Sequence, residues 1–171
     1  MPYDVVIVLG SESDMKKVDA SGMLTVLNNV GVRWELSVIS AHRNPTQLIN
    51  FVSDRRQEGT MVFIGIAGMA AALPGTLASL VDGMVPVLGV ALSSSVLDGL
   101  DALLSQVRMP PGRHVAVCGI DEAGLYNAAL TACSIVALVR PELREKLYAF
   151  LETTNKQPRI GLRTSDQEKG A

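Results

Sequence analysis

Short runs of apolar, β-branched residues alternate along the chain with longer stretches in which apolar residues recur every three or four positions. Val5–Leu9 (VVIVL) contains no polar position, the pattern of a strand covered on both faces. After the turn-forming GSESD, Met15, Val18, Met23, Val26, Leu27 and Val30 share one helical face, so the spacing predicts a helix from Met15 to Val30. Residues 32–39 (VRWELSVI) predict a second strand with partial alternation. Asn44 then stands as an N-cap and Pro45 as the first position of a helix that Gly59 ends. Met61–Ile66 predicts strand three, which leads through AGMAAALPG into a short helix near Thr76–Leu80. Strand four is Val85–Val90, followed by a helix over Leu97–Val107 that MPPG terminates, and strand five is His114–Cys118. Helices over Glu122–Leu138 and from Pro141 to about Glu152 complete the pattern.

Strands separated by helical crossovers pair in parallel, and a parallel sheet needs helices on both faces. The expected architecture is a single three-layer α/β domain over residues 1–152 built on a five-stranded parallel sheet. The polar tail, 153–171, is expected to order only by docking on a neighbour. Ligands of such sheets bind beyond the carboxyl ends of the strands, so the loops after the strands are where chemistry is to be sought.

Composition narrows the function classes. With 48% hydrophobic and 19% charged residues, the 171-residue chain can bury one sizeable core. A net charge of −2 gives no electrostatic footprint for nucleic acid or an anionic membrane, and 4% aromatic content disfavours a base-stacking platform. Cys118 and Cys133 lie among apolar or small residues and read as free thiols of a reducing compartment. The uncharged stretch from Gly59 to Val81 is long enough to cross a bilayer. Gly65, Gly68, Pro74 and Gly75 interrupt any continuous helix there, and no Trp or Tyr anchors flank it, so it reads as a buried strand running into a loop. The N-terminus lacks the basic start of a secretory signal, and the expected location is cytoplasmic.

Four segments at the predicted ligand edge can carry chemistry. Gly10-Ser11-Glu12-Ser13-Asp14 joins a strand to a helix start, where Gly10 permits a tight turn and hydroxyls and free N–H groups suit an anion such as a phosphate. Ser and Asp serve equally as ordinary caps, and the loop is neither a Walker motif nor GxGxxG. Ser40-Ala41-His42-Arg43-Asn44-Pro45 sets an imidazole, a side chain that titrates near neutral pH, beside a guanidinium suited to phosphate. In Ala67–Gly75, seven of nine residues are Gly, Ala or Pro, so the backbone can approach a flat ligand or pack tightly on a neighbour. Arg108 precedes the Pro-Pro-Gly stop and reads either as a helix C-terminal cation or as a substrate contact. His114 opens strand five beside Arg113 and reads as a structural or surface residue, which leaves His42 as the proton carrier.

GSESDM (10–15), SAHRNP (40–45), AGMAAALPG (67–75), PVLGVALSS (86–94), LDGLDALLSQVRMPPG (97–112) and NAAL (127–130) together resemble the PurE family of aminoimidazole ribonucleotide carboxylation enzymes, in the family order. The resemblance implies a flavodoxin-like sheet, a homo-octamer with sites near subunit contacts, and purine biosynthesis. One class of the family moves a carboxylate from N5 to ring carbon C4 of carboxyaminoimidazole ribonucleotide, and the other adds CO2 to aminoimidazole ribonucleotide directly. Neither needs a metal, a nucleotide triphosphate or biotin, so no cofactor is expected. Carried over by position, Ser11, Asp14 and Arg43 hold the ribose 5-phosphate moiety, Ser13 and Ser40 add hydroxyl contacts, and His42 handles the proton. Gly68, Met69 and Ala70 wall the site, and Arg108 joins the substrate contacts.

Two positions depart from the mutase pattern. Ala72 stands where the first class carries a second active-site histidine, and Arg108 where it usually carries Gln. SAHRNP leans toward the mutase class and Arg108 toward the direct carboxylase. A redirected or non-catalytic ribonucleotide-binding protein is the third alternative.

Overall fold

A computed structural model describes residues 2–94 and 97–154. Five strands, β1 (Val5–Leu9), β2 (Trp34–Val38), β3 (Val62–Gly68), β4 (Val87–Leu92) and β5 (Ala116–Ile120), pair in parallel in the order β2-β1-β3-β4-β5. This is the flavodoxin-like arrangement that the family resemblance implied, and it bears out the parallel sheet expected from the alternation of strand and helix. The three central strands are buried almost throughout, while β2 and β5, at the edges, are only partly covered.

Alternation along each strand builds two separate cores. Val5, Ile7 and Leu9 of β1 face one side, where Ile64, Ile66, Leu88 and Val90 join Val26 and Leu27 of α2 (Met23–Val30) and Leu125 and Val136 of α6 (Asp121–Val139). Leu143 and Leu147 of α7 (Glu142–Thr154) close that layer. Val6, Val8 and Phe63 face the other side, against Leu48 and Val52 of α3 (Pro45–Gln57), Leu77 of α4 (Ala72–Leu80) and Ala102 of α5 (Leu100–Val107). At roughly 25 cal/mol per Å2 of apolar surface removed from water, these two layers supply the main driving force for folding.

Several element boundaries differ from the periodicity. The helix predicted from Met15 to Val30 breaks into α1 (Met15–Ala20) and α2, because Gly22 adopts φ +72° and the buried Ser21 hydroxyl donates to the Val18 carbonyl and accepts the Met23 amide. α4 begins at Ala72 rather than Thr76, taking in Pro74 near its start where proline is tolerated. α5 begins at Leu100 rather than Leu97, since Asp98 (φ +47°) and Gly99 (φ +82°) are left-handed. β5 is displaced by two residues from His114–Cys118, with a register irregularity opposite Gly89 and Ala91.

The uncharged stretch from Gly59 to Val81 forms β3 and α4, not one span. Among the described residues, α6 alone is a helix long and apolar enough to cross a membrane, and its buried face packs on the sheet. α7 runs to Thr154, two residues past the expected boundary, and the tail beyond it lies outside the described residues.

Candidate functional site

In the order β2-β1-β3-β4-β5 the connections reverse direction between β1 and β3, which opens a crevice at their carboxyl ends. A cleft of about 500 Å3 lies there. Its lining brings together Ser11, Ser13, Asp14, Ser40, His42, Arg43, Gly68, Met69 and Ala70, from three loops distant along the chain.

The loop after β1 is ordered by its own hydroxyls. Ser11 caps a 3-10 turn over Glu12–Asp14: its Oγ accepts the Ser13 amide at 3.4 Å and sits 2.9 Å from the Ser13 hydroxyl. Ser13 Oγ in turn donates to Asp14 Oδ1 at 3.4 Å. Burial pushes the Asp14 carboxyl above its ordinary range, against the Ser13 hydrogen bond and the Lys17 charge. Gly10 keeps an ordinary φ: its amide donates to the Ile66 carbonyl and continues the sheet ladder, so no left-handed turn is needed there.

The loop after β2 is held by Ser40, whose nearly buried Oγ accepts the Arg43 amide at 3.2 Å while its carbonyl accepts the Asn44 amide at 2.9 Å. Asn44 occupies the N-cap of α3 as expected, with Pro45 following, yet its side chain makes no capping bond. His42 and Arg43 project from this turn and are exposed in the open cleft. Arg43 Nη2 donates to the Gly10 carbonyl at 3.4 Å, which leaves most of the guanidinium free for a ligand.

Small residues in the loop after β3 serve two purposes. A Cβ on Gly65 would lie 3.0 Å from Pro74, and one on Gly75 would lie 3.0 Å from Met109 Sδ, so both positions serve close packing. Gly68, Met69 and Ala70 instead line the cleft, with Met69 left-handed at φ +54° and 64% exposed. Ala72, at the start of α4, completes this wall.

One expected site residue, Arg108, is not brought into the cleft, and His114 lies away from it as its reading as a structural or surface residue implies. Arg108 sits exposed at the C-terminal end of α5 and is not among the lining residues. His114 is exposed ahead of β5, at the opposite edge of the sheet. Ser94 lines the cleft and was not singled out from the sequence, although a hydroxyl just past a strand's carboxyl end was the available signal. Cys118 and Cys133 are free thiols, and no group of three His, Cys, Asp or Glu among the described residues could hold a metal ion.

Known proteins share these features. The AIR carboxylase family profile matches residues 4–157. N5-carboxyaminoimidazole ribonucleotide mutase of Pyrococcus abyssi is 45% identical over 146 residues, 85% of this chain and 80% of that protein. The mutases of Methanocaldococcus jannaschii and Escherichia coli are each 42% identical, covering 90% and 85% of this chain and 91% and 84% of their own lengths. The crystal structure of Treponema denticola PurE superposes with a TM-score of 0.74 at 26% identity, over 88% of this chain and 90% of that one. With a family profile spanning nearly the whole described chain and relatives this similar along most of their length, the protein belongs to the PurE family of AIR carboxylase domains.

Proposed function

We propose that the protein is an N5-carboxyaminoimidazole ribonucleotide mutase, moving a carboxylate from the exocyclic nitrogen to C4 of the imidazole in purine biosynthesis. The observation that carries this reading is the convergence of His42, Arg43 and the Ser11–Ser13–Asp14 hydroxyl chain on one cleft. Relatives named for that activity, 35–45% identical over most of the chain, support it.

Each group has chemistry fitted to one part of the substrate. The Arg43 guanidinium and the Ser11 and Ser13 hydroxyls donate to the 5-phosphate, whereas the Asp14 carboxylate repels a phosphate and accepts from ribose hydroxyls. Ser40 holds the turn that presents His42 and Arg43. In the reaction, the N–CO2 bond breaks and its electron pair takes up a proton from the His42 imidazolium. C4, the electron-rich ring carbon, then attacks the retained CO2, and the neutral imidazole of His42 removes the C4 proton. The proton given equals the proton taken, so one imidazole suffices and no cofactor is required. Retention of CO2 between the two steps falls to the wall of Gly68, Met69, Ala70, Ala72 and Leu73 together with the bound substrate that fills the cleft.

We further propose a cytoplasmic homo-octamer in which Arg108 reaches the cleft of a neighbouring subunit. Leu100, Leu104 and Val107 leave an apolar stripe about half exposed along α5, Leu97 is exposed in the turn before it, and Arg108 stands at the end of the stripe. The domain proposed runs through α7 to Thr154, two residues past the boundary expected at 152.

Conversion of N5-carboxyaminoimidazole ribonucleotide to the C4 product without ATP is the deciding assay, run beside aminoimidazole ribonucleotide with bicarbonate. His42→Asn is expected to abolish turnover and leave the circular dichroism spectrum intact; unchanged turnover overturns the role of His42. Turnover of aminoimidazole ribonucleotide alone would make the enzyme a direct carboxylase, and binding without turnover a redirected ribonucleotide-binding protein.

A further inference from the structure

Behind the cleft, three polar side chains that the reaction does not use meet at one point. Lys17 Nζ, on α1, donates to Asp121 Oδ1 at 2.7 Å, to Ser93 Oγ at 2.9 Å and to the Ser93 carbonyl at 2.6 Å. Asp121 Oδ1 also accepts the Ser93 amide at 2.9 Å. The three residues come from α1, the segment leaving β4 and the first position of α6. Asp121 adopts φ +49°, a left-handed conformation that a residue with a Cβ rarely takes. Such a backbone persists only where its surroundings over-determine it, and here the carboxylate's bonds to Lys17 and Ser93 do so. Burial works against the Asp121 carboxylate, but those bonds outweigh it and hold its pKa below the ordinary range.

What this cluster fixes is the chain leaving β4. The next residue, Ser94, lines the cleft, and its Oγ is shielded from solvent with no partner among the described residues. A buried hydroxyl without a partner costs free energy, and at a ligand cleft it is a donor lacking only its acceptor. A Cβ on Gly68 would lie 3.3 Å from Ser94 Oγ and 3.0 Å from the Leu92 carbonyl, so glycine is what lets the loops after β3 and β4 come together.

Strand order gives Ser94 its place relative to the phosphate end. Arg43 follows β2 and Ser94 follows β4, three strand spacings away in the order β2-β1-β3-β4. At about 4.8 Å per spacing that is roughly 14 Å. On this spacing Ser94 stands across the cleft from the groups suited to a phosphate.

We propose that Ser94 is a further substrate-binding residue, donating to the heterocycle or its carboxylate, and that Lys17, Ser93 and Asp121 form a latch that positions it. This rests on the ribonucleotide reading above. Ser94 acts on the end of the ligand opposite the phosphate, and Asp121 and Ser93 act through Ser94, while Lys17 also places its charge near Asp14.

Calorimetry with ribose 5-phosphate and with aminoimidazole ribonucleotide tests both parts. Ser94→Ala is expected to weaken the ribonucleotide about tenfold, the worth of one hydrogen bond, and to leave ribose 5-phosphate unchanged. Glycine suits the φ of position 121, so Asp121→Gly relieves backbone strain while removing the latch carboxylate, and thermal melting checks that the fold is kept. Asp121→Gly is expected to weaken the ribonucleotide selectively as well, and the double variant to bind no worse than Ser94→Ala alone. Equal losses on both ligands, no loss in Ser94→Ala, or additive losses in the double variant would overturn the proposal. If the parent chain binds both ligands yet converts nothing, the mutase reading fails while the affinity comparison still decides Ser94. A parent chain that binds neither ligand overturns both.

Discussion

The Arg43 guanidinium donates to the Gly10 carbonyl across 3.4 Å, tying the loop after β2 to the loop after β1. The bond crosses the gap between two strands that pair along their whole length, and it sets the cation beside the Ser11–Ser13–Asp14 turn. A guanidinium carries five donors in a fixed fork, so one bond to the protein can orient it without exhausting it.

Arg43→Lys keeps the charge and removes the fork. Affinity for the ribonucleotide is expected to fall about tenfold, because a point charge cannot make the paired bonds to a phosphate. Arg43 is exposed, so the melting temperature should move by no more than about 2 °C. Calorimetry and thermal denaturation measure the two quantities, and an unchanged affinity would remove Arg43 from the site.

Asp14→Asn is expected to trade function for stability. Burial raises the Asp14 carboxyl above its ordinary value of 3.8, so the fold penalises the charged form at neutral pH. The penalty disappears as pH falls through the raised pKa, where the parent carboxyl protonates. The variant should therefore melt above the parent at pH 7, with the gap closing toward pH 4, while ribonucleotide affinity drops. Melting curves across that range, paired with calorimetry, test the sign.

Ala72→His restores the side chain that the mutase pattern carries at this position. Ala72 opens α4 and lines the cleft, so the imidazole would occupy space that alanine leaves to the substrate. The helix-propensity cost of about 0.6 kcal/mol lowers the melting temperature by roughly 2 °C. KM for the ribonucleotide should rise with little gain in kcat. A several-fold rise in kcat would show instead that a second imidazole still has a proton to move.

The thiols should be inert in the folded protein. Burial pushes Cys133 up to about 12, and Cys118 is raised by burial against a hydrogen bond from Thr131. At pH 8 neither is a thiolate to any useful extent, so iodoacetamide should label the native chain much more slowly than the urea-unfolded chain. Mass spectrometry of timed samples measures this, and rapid native labelling at Cys133 would contradict its burial.

Much of the site was legible because its residues sit where the fold class puts ligands. Once Val5–Leu9 and residues 32–39 read as parallel strands, the loops holding Ser11, Asp14, His42 and Arg43 had to share one sheet edge. Arg108 followed no such rule. It lies past the end of a helix, and nothing local says which way that end faces relative to the cleft.

Apolar spacing by itself determined the five strands, the burial of β1 on both faces and the helices that must cover the sheet, since periodicity reports which faces of an element avoid water. The tertiary structure alone decided the strand order, the break at Gly22, the start of α4 at Ala72 and the meeting of Ser94 with Gly68. Lys17 meets Ser93 and Asp121 across 76 and 104 residues of chain. Such contacts depend on which strands lie side by side, and no local pattern of apolar and polar residues carries that information.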